Sequence, residues 1–398
     1  MRRYYLIDHK VLFLFGYFFY LFTPYLAGRF NLFPGYPGMD LFQAFFAQIP
    51  EAMLIRYAII TVCWLPAFFL GHAFFKFLRP RKRELFRFEA DSMSRGSSFI
   101  GLFLCGVLLL FAYQARGSLF AGYSSYDIGA RGKVSTLLVI LDFFLLYQLL
   151  SRQTVSLFIG SGVVITSFLL LTMGGRMYVM QTFLLYLIYK TSFAPKRWNL
   201  LKIGTFALLA FFAGSAFGIW RLGASYGIGK AAYSFIAEPV FTWFSTATFL
   251  QSNTIPFLNT PLNFLTSFLN LIPNSLLSMK QYIVSIHSMG YYYASPLGAD
   301  SVWSTYIINF GSAGSILFVF VLGFLLNGLR HLSENNRFWA VYYVLVCSIL
   351  PFQFFRDGFY IINKQLFFNF LFFPALLLLV LRLVIVLNSL TEKKLVNA

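Results

Sequence analysis

The sequence has little charge and few cysteines. Of its 398 residues, 11% are charged and 59% are hydrophobic, and the mean hydropathy is +0.72. Soluble domains carry about 25% charged residues, so an ordinary soluble globule is excluded and most of the chain is expected in lipid. The cysteines, Cys63, Cys105 and Cys347, lie inside apolar runs without metal-ligand spacing. Neither a disulfide framework nor a metal site is supported, and no cofactor is expected.

Acidic residues are also scarce, since 13 Asp and Glu face 31 Lys and Arg, for a formal net charge of +18. The basic residues fall in short segments between apolar runs rather than on one soluble face, so nucleic-acid binding is not expected. The 52 Phe and 24 Tyr suit a chain whose surroundings are membrane lipid, with aromatic rings against acyl chains and headgroups.

Apolar runs close to the roughly 20 residues of a membrane-spanning helix recur along the chain. They predict an all-α, polytopic membrane protein with about ten transmembrane helices in a single domain, 1–398. The predicted spans are residues 11–28, 57–78, 98–115, 134–151, 153–173, 177–193, 201–220, 304–328, 338–355 and 366–388.

Basic residues orient these spans, because Lys and Arg in short loops resist translocation. Counting outward from the richest loop, which we place in the cytoplasm, puts both termini in the cytoplasm as well. The first helix is expected to remain as an anchor, since no small-residue cleavage site follows it. The basic residues of that loop are Lys76, Arg79, Arg81, Lys82, Arg83, Arg87 and Arg95.

The same count places one large segment, 221–303, on the periplasmic or extracellular side. Its apolar pieces are too short to span, so short helices that lie in the interface or dip into a cavity are expected. The absence of a fixed-period repeat weakens a transporter interpretation. The prolines that interrupt the segment are Pro239, Pro256, Pro261, Pro273 and Pro296.

Arginines persist on the predicted outer side, which the positive-inside rule does not explain. A guanidinium is always charged and its forked donors match phosphate oxygens, so the set suits a diphosphate. The alternative for any single one is that it snorkels to lipid phosphates. The outward arginines are Arg29, Arg56, Arg116, Arg131, Arg176, Arg221 and Arg356.

Two of these arginines lie in short motifs. Arg176 follows Gly174 and Gly175 in a turn so brief that the arginine must lie at the membrane surface, and glycine permits that turn. The alternative is a plain hairpin. Arg356 precedes Asp357, which is expected to neutralise or orient it, as a purely structural pair also would.

Polar residues mark the junction between the large segment and the next span. Asp300 is a candidate base or sugar-hydroxyl acceptor, with a helix N-cap as the alternative. Tyr306 is a candidate substrate contact, and Asn309 needs a partner inside an apolar helix. The small residues that would let another helix pack closely are Gly311, Ser312 and Gly314.

Three more ionisable residues stand out. His287 is the one histidine of the predicted outer side, and Glu238 precedes Pro239 in a partly apolar stretch. Both are candidate bases, with an incidental loop histidine and a buried or helix-ending glutamate as the alternatives. Asp142 lies in the middle of a predicted span, where a carboxylate is costly, so either function or a buried hydrogen bond between helices explains it.

This pattern resembles the O-antigen or oligosaccharide repeat-unit polymerases, the Wzy-type family of bacterial envelope proteins. The resemblance covers most of the chain in topology, with a large outer loop late in the sequence. In motif it depends on Gly174-Gly175-Arg176 and on the stretch from Tyr306 to Gly314. It implies a GT-C-like glycosyltransferase of the bacterial inner membrane that contributes to lipopolysaccharide or related polysaccharide synthesis.

The resemblance also implies a reaction without metal or cofactor. A sugar hydroxyl of a lipid-linked repeat unit attacks the donor sugar, and undecaprenyl diphosphate leaves at the periplasmic face. Guanidinium groups would stabilise the leaving diphosphate, and a partner that controls chain length is left open. The diphosphate-binding residues would be Arg176, Arg221, Arg356, Arg116 and Arg131, and the base remains open among Asp300, Glu238 and His287.

Other functions remain open beside this one. An O-antigen ligase would use the same donor but deliver the glycan to a lipid A core, and an outer-loop histidine such as His287 would suit it. A lipid-linked oligosaccharide flippase would need charged residues along a central path, whereas the predicted spans are almost free of charge. A non-catalytic scaffold would leave the outward arginines individually dispensable.

Overall fold

The computed structural model describes residues 7–78, 94–120, 128–151, 154–194, 196–221, 228–272, 277–295 and 299–396. Across these ranges the chain is helical and contains no strand. The predicted all-α class is therefore confirmed. Helices long and apolar enough to cross a membrane are His9–Arg29, Glu51–Leu78, Gly129–Leu150, Val302–Glu334 and Phe359–Val384.

The helices of the described ranges differ widely in length, from the four residues of Gln353–Arg356 to the 34 residues of Val302–Asn335. Some of them contain π-helical turns, such as Phe18–Phe22 between the first two helices. In chain order they are α1 His9–Tyr17, α2 Thr23–Arg29, α3 Met39–Ala47, α4 Glu51–Leu78, α5 Ser94–Gln114, α6 Ile128–Leu150, α7 Leu157–Thr172, α8 Arg176–Ile188, α9 Leu200–Arg221, α10 Ile228–Ser252, α11 Leu262–Ser267, α12 Val302–Asn335, α13 Arg337–Ile349, α14 Gln353–Arg356, α15 Phe359–Asn363 and α16 Phe373–Val396.

Helices α4 and α12 approach each other through glycine. A Cβ atom built on Gly71 would lie 1.9 Å from the carbonyl oxygen of Phe320, and one built on Gly323 would lie 2.1 Å from that of Phe68. Neither position tolerates a side chain without moving backbone. Small residues thus let the two helices pack closely, but the glycines at the crossing are Gly71 and Gly323 rather than the predicted Gly311 and Gly314.

Gly311 has a different role, because it breaks α12. Its φ of 73° lies in the left-handed region, and a Cβ there would lie 2.6 Å from the carbonyl oxygen of Phe257. The chain that packs into the break is an extended loop rather than the second helix that the sequence predicted. Ser312 N–H donates to Pro256 O at 2.8 Å, and Ala313 N–H donates to Phe257 O at 3.0 Å. These bonds satisfy backbone groups that a break would otherwise leave unpaired.

Asn309 has the polar partners that its position in an apolar helix requires. Its side chain is fully buried. Its Oδ1 accepts from Phe264 N–H at 2.8 Å, and its Nδ2 donates to Thr305 O at 2.8 Å. Because Phe264 lies in the first turn of α11, Asn309 supplies one of the acceptors that a helix start lacks. The residue therefore anchors the short helix α11 on α12.

The segment 221–303 differs from the expectation of short helices, because α10 is 25 residues long. Pro239 lies inside α10 rather than ending it. The helix is held by buried polar contacts as well as apolar ones, since Trp243 Nε1 donates to Tyr57 O–H at 2.8 Å and that hydroxyl donates to Leu21 O at 2.8 Å. The later part of the segment does contain the short helix α11 and several 3₁₀ turns.

Residues at the predicted cytoplasmic helix ends come together in the structure. Arg330 pairs with Asp8 at 2.9 Å. His9 contacts His72 at 3.2 Å and the hydroxyl of Tyr343 at 2.9 Å through its two ring nitrogens. The ends of α1, α4 and α12 thus share one polar layer, to which Tyr343 contributes from the middle of α13. Which membrane face this layer occupies stays a prediction.

Candidate functional site

Arg356, the last residue of the short helix α14, lies where three helices meet. Its Nε is 2.8 Å from Glu238 Oε1, and the side chains of Arg356 and Glu238 are only 22% and 35% exposed. The guanidinium also contacts Met177 Sδ in the first turn of α8. Residues of α8, α10 and α14, far apart in sequence, therefore surround one mostly buried positive charge.

Glu238 is placed by the continuation of α10 through Pro239. Proline removes one backbone donor from a helix, so its ring normally kinks or ends the helix. Here the helix continues, and Thr242 Oγ1 donates to Glu238 O at 2.9 Å one turn later. The helix-ending interpretation of Glu238 is wrong. Its carboxylate instead forms the ion pair with Arg356.

Asp357 and Arg131 complete a group that we call the Arg356 cluster: Arg131, Glu238, Arg356 and Asp357. Burial raises the pKa of Asp357, and the charges of Arg356 and Arg131 oppose that rise. Burial alone would lower the pKa of Arg356, but Glu238 and Asp357 outweigh it and raise that pKa above its usual value. Asp357, the predicted partner of Arg356, acts on it through its charge, whereas the direct contact of Arg356 is with Glu238.

Arg176 begins α8, one residue before Met177. Gly174 has a φ of 80°, and Gly175 N–H donates to Leu170 O at 2.6 Å, so the predicted tight turn is present. A positive side chain at a helix start is unfavourable to the helix dipole. Arg176 is half-buried and forms no ion pair within the described ranges. Helix stability therefore does not explain an arginine at this position.

A cavity of about 270 Å³ lies next to the Arg356 cluster. Gly358, which follows Asp357 of the cluster, lines the cavity and packs so close to Asp300 that a Cβ built on it would lie 3.3 Å from Asp300 Oδ2. The loop that follows Arg356 therefore forms part of the cavity wall. Its wall includes Asn263, His287, Tyr293, Ser295, Asp300 and Tyr360.

The Asp300 carboxyl faces this cavity rather than capping α12. The cap is Ser301, whose hydroxyl accepts from Trp303 N–H at 3.3 Å, so the N-cap alternative for Asp300 is wrong. Burial raises the pKa of Asp300, as does the nearby charge of Asp357, while hydrogen bonds from Ser295 and Tyr293 lower it. A carboxylate with a raised pKa in the wall of a cavity is suited to accept a proton.

His287 lines the same cavity and is exposed. Its ring is stacked on Tyr293, with ring centroids 4.5 Å apart and an interplanar angle of 7°. The Tyr293 hydroxyl in turn lies close enough to the Asp300 carboxyl for each group to shift the pKa of the other. The candidate bases are therefore divided, with Asp300 and His287 at the cavity and Glu238 in the Arg356 cluster.

Other predicted site residues lie elsewhere. Tyr306 is 3% exposed and stacks on Phe359 at 5.3 Å inside an aromatic core, so it packs rather than faces the cavity. Arg116 donates to Tyr113 O at 3.2 Å and covers that ring, contacts that are local to the end of α5. Arg221 ends α9, but its side chain lies outside the described residues.

Asp142 is buried between α6 and α8. Thr182 Oγ1 donates to its Oδ2 at 2.6 Å, and its exposure is 0%. This contact matches the interhelical hydrogen bond that was one of the two expectations.

The sequence did not single out Asn263 or Tyr293, and it gave Asp357 only a pairing role. Each of these side chains reaches the site through tertiary contacts. Asn263, for example, is held on α11 by its Nδ2 bond to Val284 O at 2.8 Å. The only signal in the sequence was their position in the large outer segment and the last outer turn, beside Asp300 and Arg356.

No protein-family model, curated protein or solved structure matches this chain. The function of the chain is therefore inferred from the geometry of the Arg356 cluster and the cavity.

Proposed function

We propose that the chain is a membrane glycosyltransferase that joins undecaprenyl-diphosphate-linked oligosaccharide repeat units. One observation carries the proposal: a mostly buried guanidinium, that of Arg356, lies two residues before Gly358, which lines the cavity that also contains the carboxylate Asp300. Glycosyl transfer to a sugar hydroxyl needs a cation at the leaving diphosphate and a base at the attacking oxygen. The adjacent Asp357, whose charge acts on both Arg356 and Asp300, is what supports assigning these two roles to one site.

The roles follow from the contacts. Arg356 and Arg176 bind the donor diphosphate, and Arg131 adds positive charge from α6. Glu238 holds the Arg356 fork by their ion pair at 2.8 Å, so it acts as a positioning residue. Asp300 takes the proton of the acceptor hydroxyl. Because negative charge grows on the diphosphate as the sugar leaves, preplaced guanidinium groups favour the transition state.

We also propose that more helices cross the membrane than the long apolar ones. Shorter apolar helices, among them Phe99–Gln114, Leu157–Thr172, Leu200–Ala216 and Arg337–Ile349, add to the long ones to give about ten spans of the bacterial inner membrane. Both termini lie in the cytoplasm, and the Arg356 cluster faces the periplasm. The polar layer around Asp8 and Arg330 supports this orientation. It lies near the end of α12, whereas Asp300 and the neighbouring Arg356 cluster lie at its beginning. A GT-C-like architecture belongs to the same proposal.

A deletion strain tests the reaction class. Lipid carriers with a single repeat unit should accumulate at the outer leaflet, because the units are exported but not joined. Accumulation of long polymers not attached to a lipid A core would identify a ligase instead. Single-repeat carriers confined to the inner leaflet would identify a flippase. An unchanged set of lipid-linked glycans would contradict all three functions.

Arginine variants test the site. Arg356→Ala and Arg176→Ala should each reduce glycan extension by about 10²–10³-fold, the usual loss when one charge-stabilising donor is removed. Lysine at either position should rescue poorly because it lacks the fork. The matched control is Arg29→Ala, since Arg29 forms an exposed ion pair with Glu51 at 3.3 Å. Wild-type glycan lengths in both variants, with normal abundance, would contradict the proposal.

A further inference from the structure

The cavity beside Asp300 contains two buried oxygen atoms that accept no hydrogen bond from any described residue. They are Asp300 Oδ1 and Asn263 Oδ1. The Asn263 amide is oriented, because its Nδ2 donates to Val284 O at 2.8 Å and leaves Oδ1 as the acceptor. A buried acceptor without a donor costs free energy. Both atoms therefore suit a ligand that supplies hydroxyl donors.

The rest of the cavity wall suits a neutral sugar ring. Phe359 and Tyr360 contribute aromatic surface, and Ser285 and Ser295 contribute hydroxyls. The Asp300 carboxylate makes the cavity unfavourable for an anion such as a diphosphate. The volume of about 270 Å³ is near the lower limit of ligand pockets, about 300 Å³. The cavity thus has room for one sugar ring rather than a whole repeat unit.

We infer that this cavity is the subsite for the terminal sugar of the acceptor, whose hydroxyls donate to Asp300 Oδ1 and Asn263 Oδ1. The inference rests on the proposed function and adds the place where the acceptor is held. The reacting hydroxyl lies at Asp300. Its oxygen forms the bond to the donor anomeric carbon, the bond from that carbon to the diphosphate breaks with its electron pair leaving on undecaprenyl diphosphate, and the proton passes to Asp300.

Tyr293 is a positioning residue for this step. Its ring is stacked on His287 and its hydroxyl lowers the pKa of the Asp300 carboxyl, so it sets the environment of that carboxyl in the cavity wall. The charged groups that face Asp300 are Asp357, which raises its pKa, and His287, which lowers it. The bond from Tyr293 also lowers the pKa of Asp300, so Tyr293→Phe should raise it. The acid limb of the pH profile of glycan extension should therefore move to higher pH.

Kinetics of the purified full chain distinguish acceptor from donor. The acceptor probe is the single-repeat lipid carrier from the deletion strain, and the donor probe is the same carrier extended to a polymer. Asn263→Ala should raise KM for the single-repeat carrier about tenfold, the usual effect of one lost hydrogen bond, and leave KM for the polymer-linked donor unchanged. Asp300→Asn should lower kcat by about 10²–10⁴-fold. A rise in KM for the polymer-linked donor alone would place the donor sugar in the cavity and overturn the inference.

A chemical footprint tests occupancy independently of turnover. His287 is exposed, whereas His9 and His72 are buried, so diethyl pyrocarbonate should modify His287 much faster than either. The single-repeat carrier should protect His287, and undecaprenyl diphosphate alone should not. Equal protection by both would make the cavity a phosphate site and overturn the inference without touching the proposed function. Protection by neither would also overturn it.

The matched control for Tyr293→Phe is Tyr292→Phe. Tyr292 is the preceding tyrosine, is 67% exposed and lies outside the cavity wall. Its variant should keep the wild-type pH profile and both KM values. An acid limb that moves equally in both variants, or in neither, would contradict the role of Tyr293. Failure of the wild-type chain to extend any glycan would instead overturn the proposed function.

Discussion

The close crossing of α4 and α12 predicts how much stability the chain loses when Gly323 gains a side chain. Gly323→Ala adds a Cβ that would lie 2.1 Å from the carbonyl oxygen of Phe68, whereas ordinary contacts begin near 3.4 Å. The atom it meets belongs to the backbone and cannot rotate away, so the two helices must separate by about 1 Å or more. The contacts along the whole crossing weaken as a result.

The expected cost combines two effects of opposite sign. Overpacking of this kind destabilises by about 1–3 kcal/mol. Replacing a mid-helix glycine by alanine returns about 0.5–1 kcal/mol through helix propensity. The net change should be a destabilisation of about 1–2 kcal/mol. Gly106→Ala is the matched control, because Gly106 lies in α5 with no atom within 4 Å of its added Cβ, so only the favourable effect should remain.

Thermal unfolding in detergent measures the difference. The free thiol of Cys347 is fully buried, and in a Cys63→Ser, Cys105→Ser background its reaction with a thiol dye reports unfolding. Gly323→Ala should unfold at a lower temperature than Gly106→Ala by several degrees. Gly71→Ala combined with Gly323→Ala should cost less than the sum of the two, since either one already separates the helices. Equal unfolding temperatures for the variants at 323 and 106 would refute the close crossing.

Three further outcomes are expected. Asn309→Leu leaves Phe264 N–H without its acceptor and should destabilise the chain by about 1–3 kcal/mol in the same dye assay; no change would contradict the anchoring of α11. Gly174→Ala forces alanine into a φ of 80° and should cost about 1–2 kcal/mol, whereas Gly132→Ala, at an open position, should not. Asp357→Asn removes the charge that, beside burial, raises the pKa of Asp300, so the acid limb of extension should move to lower pH; an upward move would contradict that pairing.

The helical class and the turn before Arg176 could be predicted because both are local. Apolar run length indicates a helix, and the pair Gly174 and Gly175 indicates a turn of positive φ. The break at Gly311 could not be predicted, because glycine in an apolar helix signals close packing as readily as a left-handed residue. Only the approach of the loop at Pro256 and Phe257 decides between the two.

The candidate site could be predicted in its charged residues but not in its partners. The choice of Arg356 and the other arginines as candidates follows from the predicted topology alone. Its ion pair with Glu238 does not, since local rules for Pro239 favoured the end of a helix and tertiary packing continued it. Asp300 and the adjacent Ser301 were equally good caps by residue type. The hydrogen bond of Ser301 to Trp303 is what leaves Asp300 to face the cavity.

The joint at Gly311 divides α12 into two rods. The short rod that follows Asp300 and the long rod that follows Gly311 both form hydrogen bonds to residues 256–259. Asn259 Nδ2 donates to Ile308 O of the short rod at 2.6 Å, and Ser312 N–H of the long rod donates to Pro256 O. Both rods pack against α4, the short one through Trp303 on Tyr57 and Tyr306 on Trp64. Because the 256–259 connection is hydrogen-bonded on both sides of Gly311, it fixes the angle between the two rods and with it the place of Asp300 in the cavity wall.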